Sequence, residues 1–184
     1  MKTLLIALCF VVIATSAMIT EPPRSEAASA IEIDADVRTT LDKFFRRVGG
    51  ARELTNKAEG ILVFPSVVKA GVGFGGEYGE GALLVRGRST SYYNLISASF
   101  GFQLGVQSRS VIIMFMTQGA LNQFSRTYGW KVGVDGSVVL ITLGAGGSID
   151  TEKITSPVIG FILDQKGLMY NLTLEGSKIS RIDR

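Results

Sequence analysis

Glycine is the residue type that most constrains what this chain can fold into. All 22 glycines of the 184-residue sequence fall between Gly49 and Gly176. Because a glycine inside a helix costs roughly 1 kcal/mol relative to alanine, a helical domain would not tolerate this density. The same region carries short apolar or alternating runs separated by turn signals, which is typical of β-strands. We therefore expect the body of the protein to be mainly β.

The glycines also recur at even spacing. Gly71, Gly73 and Gly75 alternate with larger residues, and Gly101 and Gly105 are four residues apart. Even spacing places glycines on one face of a strand, and a smooth face lets a sheet bend sharply or lets another element lie close. We predict an α+β, mainly β fold, in which an N-terminal helix packs on a strongly curved, glycine-rich antiparallel sheet or small barrel.

Helical periodicity is limited to short segments. The first follows Asp34, so that Asp34 or Asp36 would cap it and Gly49-Gly50 would end it. Helices are expected at 34–48, about 51–58 and near 118–125. Strands are expected at 61–64, 70–76, 80–86, 91–96, 98–106, 110–116, 130–134, 137–143, 158–163 and 168–174, with Pro65 ending the first of them.

The start of the chain has the pattern of a secretory signal peptide. Lys2 precedes an apolar run of about eleven residues, and small residues follow at 14–17. The run is too short for a spanning helix, which needs about 20 residues. We predict a signal peptide at 1–17, a flexible arm at 18–33 and a single domain at 34–184. The protein would then be exported, periplasmic or at the cell surface, and peripheral to the membrane.

Two residue counts exclude whole classes of chemistry. Histidine is absent, and the one cysteine, Cys9, lies inside the predicted leader. A Ser-His-Asp or Cys-His catalytic site, a zinc site of cysteine and histidine, and a disulfide are thereby excluded. The chain carries 19 basic and 16 acidic residues, and this small positive balance permits anionic partners without requiring them.

No arrangement of residues indicates an active site. Residues 71–76 satisfy G-x-G-x-x-G, but a dinucleotide-binding loop of this type must open a helix, and 77–81 is a poor helix start. Paired catalytic carboxylates must face each other across a cleft, and nothing in the spacing of the acidic residues selects a pair. The pairs considered are Glu77 with Glu80 and Asp135 with Asp150. We expect no enzyme activity, no cofactor and no metal.

Two sets of basic residues are candidates for binding phosphate. The predicted first helix carries Arg46 and Arg47 beside Phe44 and Phe45, a combination found on helices that lie on anionic membranes. The same spacing also suits an ordinary helix with one phenylalanine in the core and its basic residues in water.

The second set flanks the glycine-rich strands. It consists of Lys69, Arg86 and Arg88. Arginine offers a bidentate fork to phosphate, so these residues could hold a headgroup if strand order brings them together. Scattered surface cations that serve solubility are the alternative.

An ordered set of motifs resembles the SYLF domain family. The matching pieces are Ala58-Glu59-Gly60-Ile61-Leu62-Val63-Phe64-Pro65, Lys69-Ala70-Gly71, Gly75-Gly76-x-x-Gly79-x-Gly81, Gly101-Phe102-Gln103-Leu104-Gly105, Thr117, Ala120-Leu121 with Phe124, Gly133, Lys166-Gly167-Leu168 and Leu174-Glu175-Gly176. Together they extend over about residues 35–182. The family is described as lipid-binding and, in fungi, actin-associated.

The resemblance implies a non-catalytic lipid-binding module for anionic, phosphoinositide-like headgroups. The residues that would contact phosphate are Arg46, Arg47, Lys69, Arg86 and Arg88, and Phe44 or Phe45 would insert into the membrane. An anionic phospholipid membrane is the expected partner, and a protein partner stays open. Nucleic acid is not expected, and neither is actin, because an exported protein would not normally meet it. The alternatives are a small outer-membrane β-barrel and an envelope or surface protein that binds another protein.

Overall fold

The computed structural model describes residues 28–141, 155–166 and 174–184. The predicted signal peptide and residues 18–27 of the predicted arm lie outside this part. The helices are α1 (Ala30–Arg47), α2 (Ala51–Lys57) and α3 (Gln118–Arg126). The strands are β1 (Gly60–Val85), β2 (Arg88–Phe115), β3 (Trp130–Lys131), β4 (Val139–Leu140), β5 (Val158–Lys166) and β6 (Lys178–Ile182).

Two very long strands form the centre of the fold. β1 and β2 pair antiparallel from Gly60 opposite Phe115 to Val85 opposite Arg88. Their two-residue turn, Arg86-Gly87, has φ values of 51° and 74°. Positive φ at both central residues is what a type I′ hairpin turn requires, and that turn matches the twist of the flanking strands. Six of the predicted short strands are therefore parts of one hairpin.

Pro65 does not end the first strand, contrary to the prediction. A register shift lies between Phe64 and Val67, so Pro65 stands at a bulge. A bulge is one of the few places where a strand tolerates proline, because the ladder is already interrupted there. The Pro65 carbonyl accepts a hydrogen bond of 2.7 Å from the Ser110 hydroxyl.

β1 folds back on itself, so that its first limb (residues 60–70) contacts its second limb (residues 76–85). A Cβ added to Gly81 would lie 2.0 Å from the carbonyl oxygen of Val63, and one added to Gly79 would lie 2.7 Å from that of Ser66. Only a residue without a Cβ permits such an approach. The hairpin must bend sharply between its limbs to make these contacts, which confirms the predicted strong curvature.

The second edge of β2 is shared between two strands. β6 pairs with β2 at residues 92–96, and β5 pairs with it at residues 108–115. The sheet is completed by β3 beside β6 and by β4, parallel to β5. β6 was not predicted, and Leu174, the one described residue of the strand predicted at 168–174, lies outside any strand.

Both faces of the central sheet are covered, which explains why its apolar runs do not alternate with polar residues. One core cluster joins α1 to the sheet through Ile33, Val37, Leu41, Phe44, Ile61, Val63, Ile112 and Met114. The other joins α3 and Trp130 to the opposite face through Leu62, Phe64, Val111, Ile113, Phe115, Leu121 and Phe124. The predicted class, mainly β with an N-terminal helix packed on the sheet, is confirmed.

α1 begins four residues earlier than predicted. Its N-cap is Ser29, whose hydroxyl accepts from the backbone of Glu32, and the Glu32 carboxylate accepts from the backbone of Ser29 at 2.8 Å. This reciprocal capping box satisfies two otherwise free donors at the helix start. The predicted cap Asp34 instead lies inside the helix and accepts from the hydroxyls of Ser89 and Tyr92.

Candidate functional site

The aromatic pair of α1 is not free to enter a membrane as predicted. Phe44 is fully buried, and its ring lies 4.9 Å from that of Phe161. It is a core residue because it shares the buried face of α1 with Val37 and Leu41. Phe45 is half-buried, and the guanidinium of Arg52 lies 4.6 Å above its ring. The insertion role is therefore wrong for Phe44, and a cation already covers the ring of Phe45.

The basic residues at the end of α1 are divided between solvent and the sheet. Arg46 is exposed. Arg47 donates to Asp164 in β5, and Lys43 lies 3.2 Å from the other oxygen of the same carboxylate. The hydrogen bond from Arg47 holds the pKa of Asp164 below its ordinary value, although partial burial acts in the opposite direction. These two cations thus tie α1 to the sheet.

Asp164→Asn is expected to lower the free energy of unfolding by about 1 kcal/mol at pH 7, because the ion pairs are partly exposed. Asp164 has a φ of 53°, which asparagine tolerates well, so the backbone should not be strained. Since the folded-state pKa is lowered, the contribution is present at neutral pH and is lost as the pH falls through that pKa. The difference between wild type and variant should therefore shrink below about pH 4.

Urea unfolding at several pH values measures this difference. The control is Asp42→Asn. Asp42 is exposed on α1, the helix that carries Lys43 and Arg47, and it has no salt bridge within the described ranges. An equal loss for both variants, or a loss at Asp164 that does not change with pH, would contradict the assigned pairing.

Lys69 is buried in an ion triad rather than presented to a ligand. Its Nζ lies 3.3 Å from Oε1 of Glu77, and Nη2 of Arg109 donates to Oε2 of Glu77 at 2.7 Å. All three side chains are buried. Lys69 belongs to the first limb of β1 and Glu77 to its second limb, so the triad connects the limbs across the bend. The predicted phosphate-binding role of Lys69 is corrected accordingly.

The triad has a polar neighbour that sequence analysis missed. Gln107 lies opposite Lys69 in the β1–β2 ladder and is 2% exposed. Within the described part of the chain, neither polar atom of its amide has a hydrogen-bond partner. Arg109 follows two residues later, on the same face of β2. Even spacing of polar residues in a strand beside a buried apolar run was the available signal for this cluster.

The hairpin turn forms one side of a small polar pocket. Arg86 and Arg88 are both exposed, and Arg86 lines a pocket of about 320 Å³ with Lys57 and the chain around residues 55–61. The buried hydroxyl of Thr55, also at this pocket, lacks a hydrogen-bond partner among the described residues. Glu59 is its lining carboxylate, and Lys57 pairs with Glu53 at 2.8 Å. Guanidinium, ammonium and hydroxyl donors suit an anion.

The predicted cations therefore occupy three different places. Lys69 is in the buried triad, Arg46 and Arg47 are in the last turn of α1, and Arg86 and Arg88 flank the hairpin turn. Of these three places, the hairpin turn combines exposed cations with a cavity.

A larger and mainly apolar pocket lies between the two limbs of β1 and the start of α1. Its volume is about 680 Å³. Its apolar walls are Val68, Tyr78 and Ile96, whose side chains are 41%, 48% and 47% exposed. The residues from α1 and its approach are Ala28, Ile33 and Asp36, and the carboxylate Glu80 lies at the pocket in an ion pair with Arg184. Burial and a hydrogen bond to Glu80 raise the pKa of Tyr78.

The described ranges contain neither a membrane-spanning helix nor a cluster of metal ligands. None of the helices there combines the length and the apolar character that crossing a membrane requires. No group of three or more acidic or cysteine side chains in the same ranges is placed to hold a metal ion.

Comparison with known proteins gives a match over the second half of the chain. Residues 96–183 match the family model described as Ysc84, Las17-binding protein actin regulator. Over these residues the chain is similar to the SYLF domain family, the family that its sequence motifs resemble. The SYLF match begins in β2 and contains α3, β5 and β6, and it includes Arg109 and Gln107. No curated protein matches the chain.

Proposed function

We propose that the protein is a non-catalytic module that binds anionic phospholipid headgroups at the β1–β2 turn. The observation that carries the proposal is the polar pocket there, which is lined by Arg86, Lys57 and Thr55; the Thr55 hydroxyl has no hydrogen-bond partner among the described residues. A phosphate accepts hydrogen bonds from all three kinds of donor. Similarity of residues 96–183 to the SYLF family, which is associated with lipid and actin binding, supports the same proposal.

The charged contacts to the headgroup would come from exposed side chains. Arg86 supplies a guanidinium to the pocket, and Arg88 places a second one at the other end of the turn. Arg46, on α1, is a separate exposed cation that would add attraction to an anionic surface. We also propose that the protein works outside the cytoplasm, peripheral to a membrane, because the sequence has a leader-like start.

Removing the two cations of the turn should weaken binding to anionic vesicles. Each basic residue near an anionic surface contributes about 1 kcal/mol, so Arg86→Gln/Arg88→Gln should lower affinity by about 30-fold. Co-sedimentation measures the effect, with vesicles of phosphatidylcholine alone and vesicles that also contain about 20% phosphatidylserine or phosphoinositide. Binding by wild type should weaken as salt is raised.

A charge-matched control separates headgroup binding from net charge. Arg126 and Lys131 are both exposed, and Arg126→Gln/Lys131→Gln removes the same charge from the region of α3 and β3. That variant should bind nearly as wild type does. A loss confined to Arg46→Gln would move the contact to α1. Wild-type protein that stays in the supernatant with every vesicle would refute the proposal.

A protein partner is the second candidate function. It is favoured by the description of the matched family as a Las17-binding protein and actin regulator. Failure to bind any vesicle, together with specific capture of a protein partner by wild type but not by a surface variant, would support it. Actin itself is a partner only if the chain shares a compartment with it.

A further inference from the structure

We infer that the apolar pocket between the limbs of β1 binds the alkyl chain of a fatty acid whose carboxylate lies beside Lys131 and Lys178. The pocket has a volume of about 680 Å³. Pockets of roughly 300–1,000 Å³ are the usual size for small-molecule ligands. The inference goes beyond headgroup binding, because the polar pocket at the hairpin turn is formed by different residues.

The first argument is the apolar wall of the pocket. Val68, Tyr78 and Ile96 line it and are each more than two-fifths exposed. Behind them the wall continues to Ile33 of α1, which is buried in the core cluster of that helix. Exposed apolar side chains grouped around a cavity mark a binding site, and the affinity for an apolar chain rises with each methylene group that it buries. The pocket therefore suits an alkyl chain.

The second argument is strand pairing, which places two lysines in line with this wall. Lys131 of β3 lies opposite Lys178 of β6, and Lys178 lies opposite Ile96 of β2. Ile96 in turn lies opposite Tyr78 of β1. Directly opposed residues of antiparallel strands share a face, and neighbouring strands are about 4.8 Å apart. The four residues therefore form one line across the sheet, roughly 14 Å long, with an apolar end and a cationic end. An elongated amphiphile matches this line.

The third argument is the charge of the two lysines. Lys131 and Lys178 are exposed, and neither forms a salt bridge in the described part of the chain. A Cβ added to Gly129 would lie 3.2 Å from Nζ of Lys178, so this ammonium group leans toward β3, the strand of Lys131. Like charges directly opposite each other destabilise a ladder. A carboxylate held between the two ammonium groups would relieve this repulsion.

The carboxylates of the pocket orient the ligand in the same direction. Asp36 of α1 lines the pocket, is exposed and has no salt bridge among the described residues, whereas Glu80 is paired with Arg184. The anionic end of a ligand would be repelled from Asp36 and attracted to the lysines of β3 and β6. A fatty acid therefore fits with its chain in the pocket and its carboxylate at the lysines.

Titration calorimetry of the full chain with three probes that share one alkyl chain tests the inference. The probes are laurate, dodecanol and dodecyltrimethylammonium, each kept below its micelle concentration. Wild type should bind laurate at least about 10-fold more tightly than the cationic probe. Lys131→Gln/Lys178→Gln should lower laurate affinity about 10-fold and leave dodecanol affinity unchanged. The matched control, Arg38→Gln/Arg126→Gln, removes the same charge from exposed positions on α1 and α3 and should bind laurate as wild type does.

A second pair of variants tests the apolar wall. Tyr78→Ser/Ile96→Ser should lower the affinity for all three probes at least about 10-fold, because the chain loses its contacts. Tyr128→Ser/Val134→Ser removes a similar pair of exposed side chains that do not line the pocket, and should change none of the affinities. Thermal unfolding without a probe checks that each variant remains folded.

Three results would overturn the inference. They are equal or tighter binding of the cationic probe by wild type, unchanged laurate affinity in the lysine variant, and unchanged affinities in the wall variant. Lys131 is expected to matter for the fatty acid and not for the bilayer, whose proposed contact is the hairpin turn. Because no vesicle is present in these titrations, their failure leaves the vesicle-binding result to be judged on its own.

Discussion

Replacing Gly81 with alanine is expected to prevent the protein from folding to its native structure. The new Cβ would lie 2.0 Å from the carbonyl oxygen of Val63 and 2.8 Å from its carbon. These are backbone atoms of a strand buried between two core clusters, so they cannot move aside as the end of a flexible side chain can. We expect a loss of more than about 4 kcal/mol, a large part of the total stability of a domain of this size. Urea unfolding and resistance to proteolysis measure it.

A glycine on the same limb serves as the control. Gly76→Ala also adds one methyl group to β1, but its Cβ would meet the Ser97 carbonyl oxygen at 3.7 Å, an ordinary contact distance. That variant should unfold within about 1 kcal/mol of wild type. Gly79→Ala, with its Cβ 2.7 Å from the Ser66 carbonyl oxygen, should again be severe. Wild-type stability in Gly81→Ala would show that the two limbs of β1 do not contact each other at Gly81 and Val63.

Glu77→Gln is expected to destabilise the protein by about 3–5 kcal/mol. The carboxylate of Glu77 is the shared partner of Lys69 and Arg109, and all three side chains are buried. The amide keeps the shape of the side chain but leaves two buried cations without a counter-charge, which is the costly way to break a buried ion pair. The measurement is the free energy of unfolding by urea at neutral pH.

Two further variants test whether charge balance causes the loss. Lys69→Met leaves Glu77 with Arg109 as a pair of equal and opposite charge, so it should cost clearly less than Glu77→Gln. Glu53→Gln removes a carboxylate from the exposed pair with Lys57 and should change stability by less than about 1 kcal/mol. If Lys69→Met proves as damaging as Glu77→Gln, packing rather than unpaired charge would explain the result.

The β character of the chain could be predicted because it depends on local chemistry. The density of glycine, the apolar and alternating runs after Gly60 and the helical spacing of the short segments are each visible within a few residues of sequence. The strand-rich body and the three helices that they predict are present in the structure. Strand length could not be predicted in this way. Pro65 and the closely spaced glycines look like strand ends. The bulge at Pro65 and the close contact between the limbs at Gly81 instead place them inside one bent strand.

The candidate site was less predictable because burial depends on pairing. In the sequence Lys69 resembles a surface cation, but the bend in β1 places it in an ion pair with Glu77. Phe44 resembles a membrane anchor, but in the fold its ring packs against Phe161 of β5. The start of α1 was also predicted wrongly, although its signal is local: Ser29 and Glu32 already form the capping-box pattern in the sequence. Arg86 and Arg88 are exposed in the structure, as a phosphate-binding role requires, because tight turns between strands lie at the surface.

The type I′ turn at Arg86-Gly87 also gives the folding reaction a natural starting point. Val85 and Arg88 are neighbours in the ladder and are separated by two residues only, whereas Gly60 and Phe115 close the far end of the same ladder. Pairs can form one after another outward from the turn, and each then closes only a slightly larger loop, so the entropic cost of the most distant contact is divided into small steps. β5 and β6 both pair with β2, so they can join the sheet only after the β1–β2 ladder has formed as far as the residues of β2 that they contact. The protein thus reaches a topology of long-range contacts by a sequence of local ones.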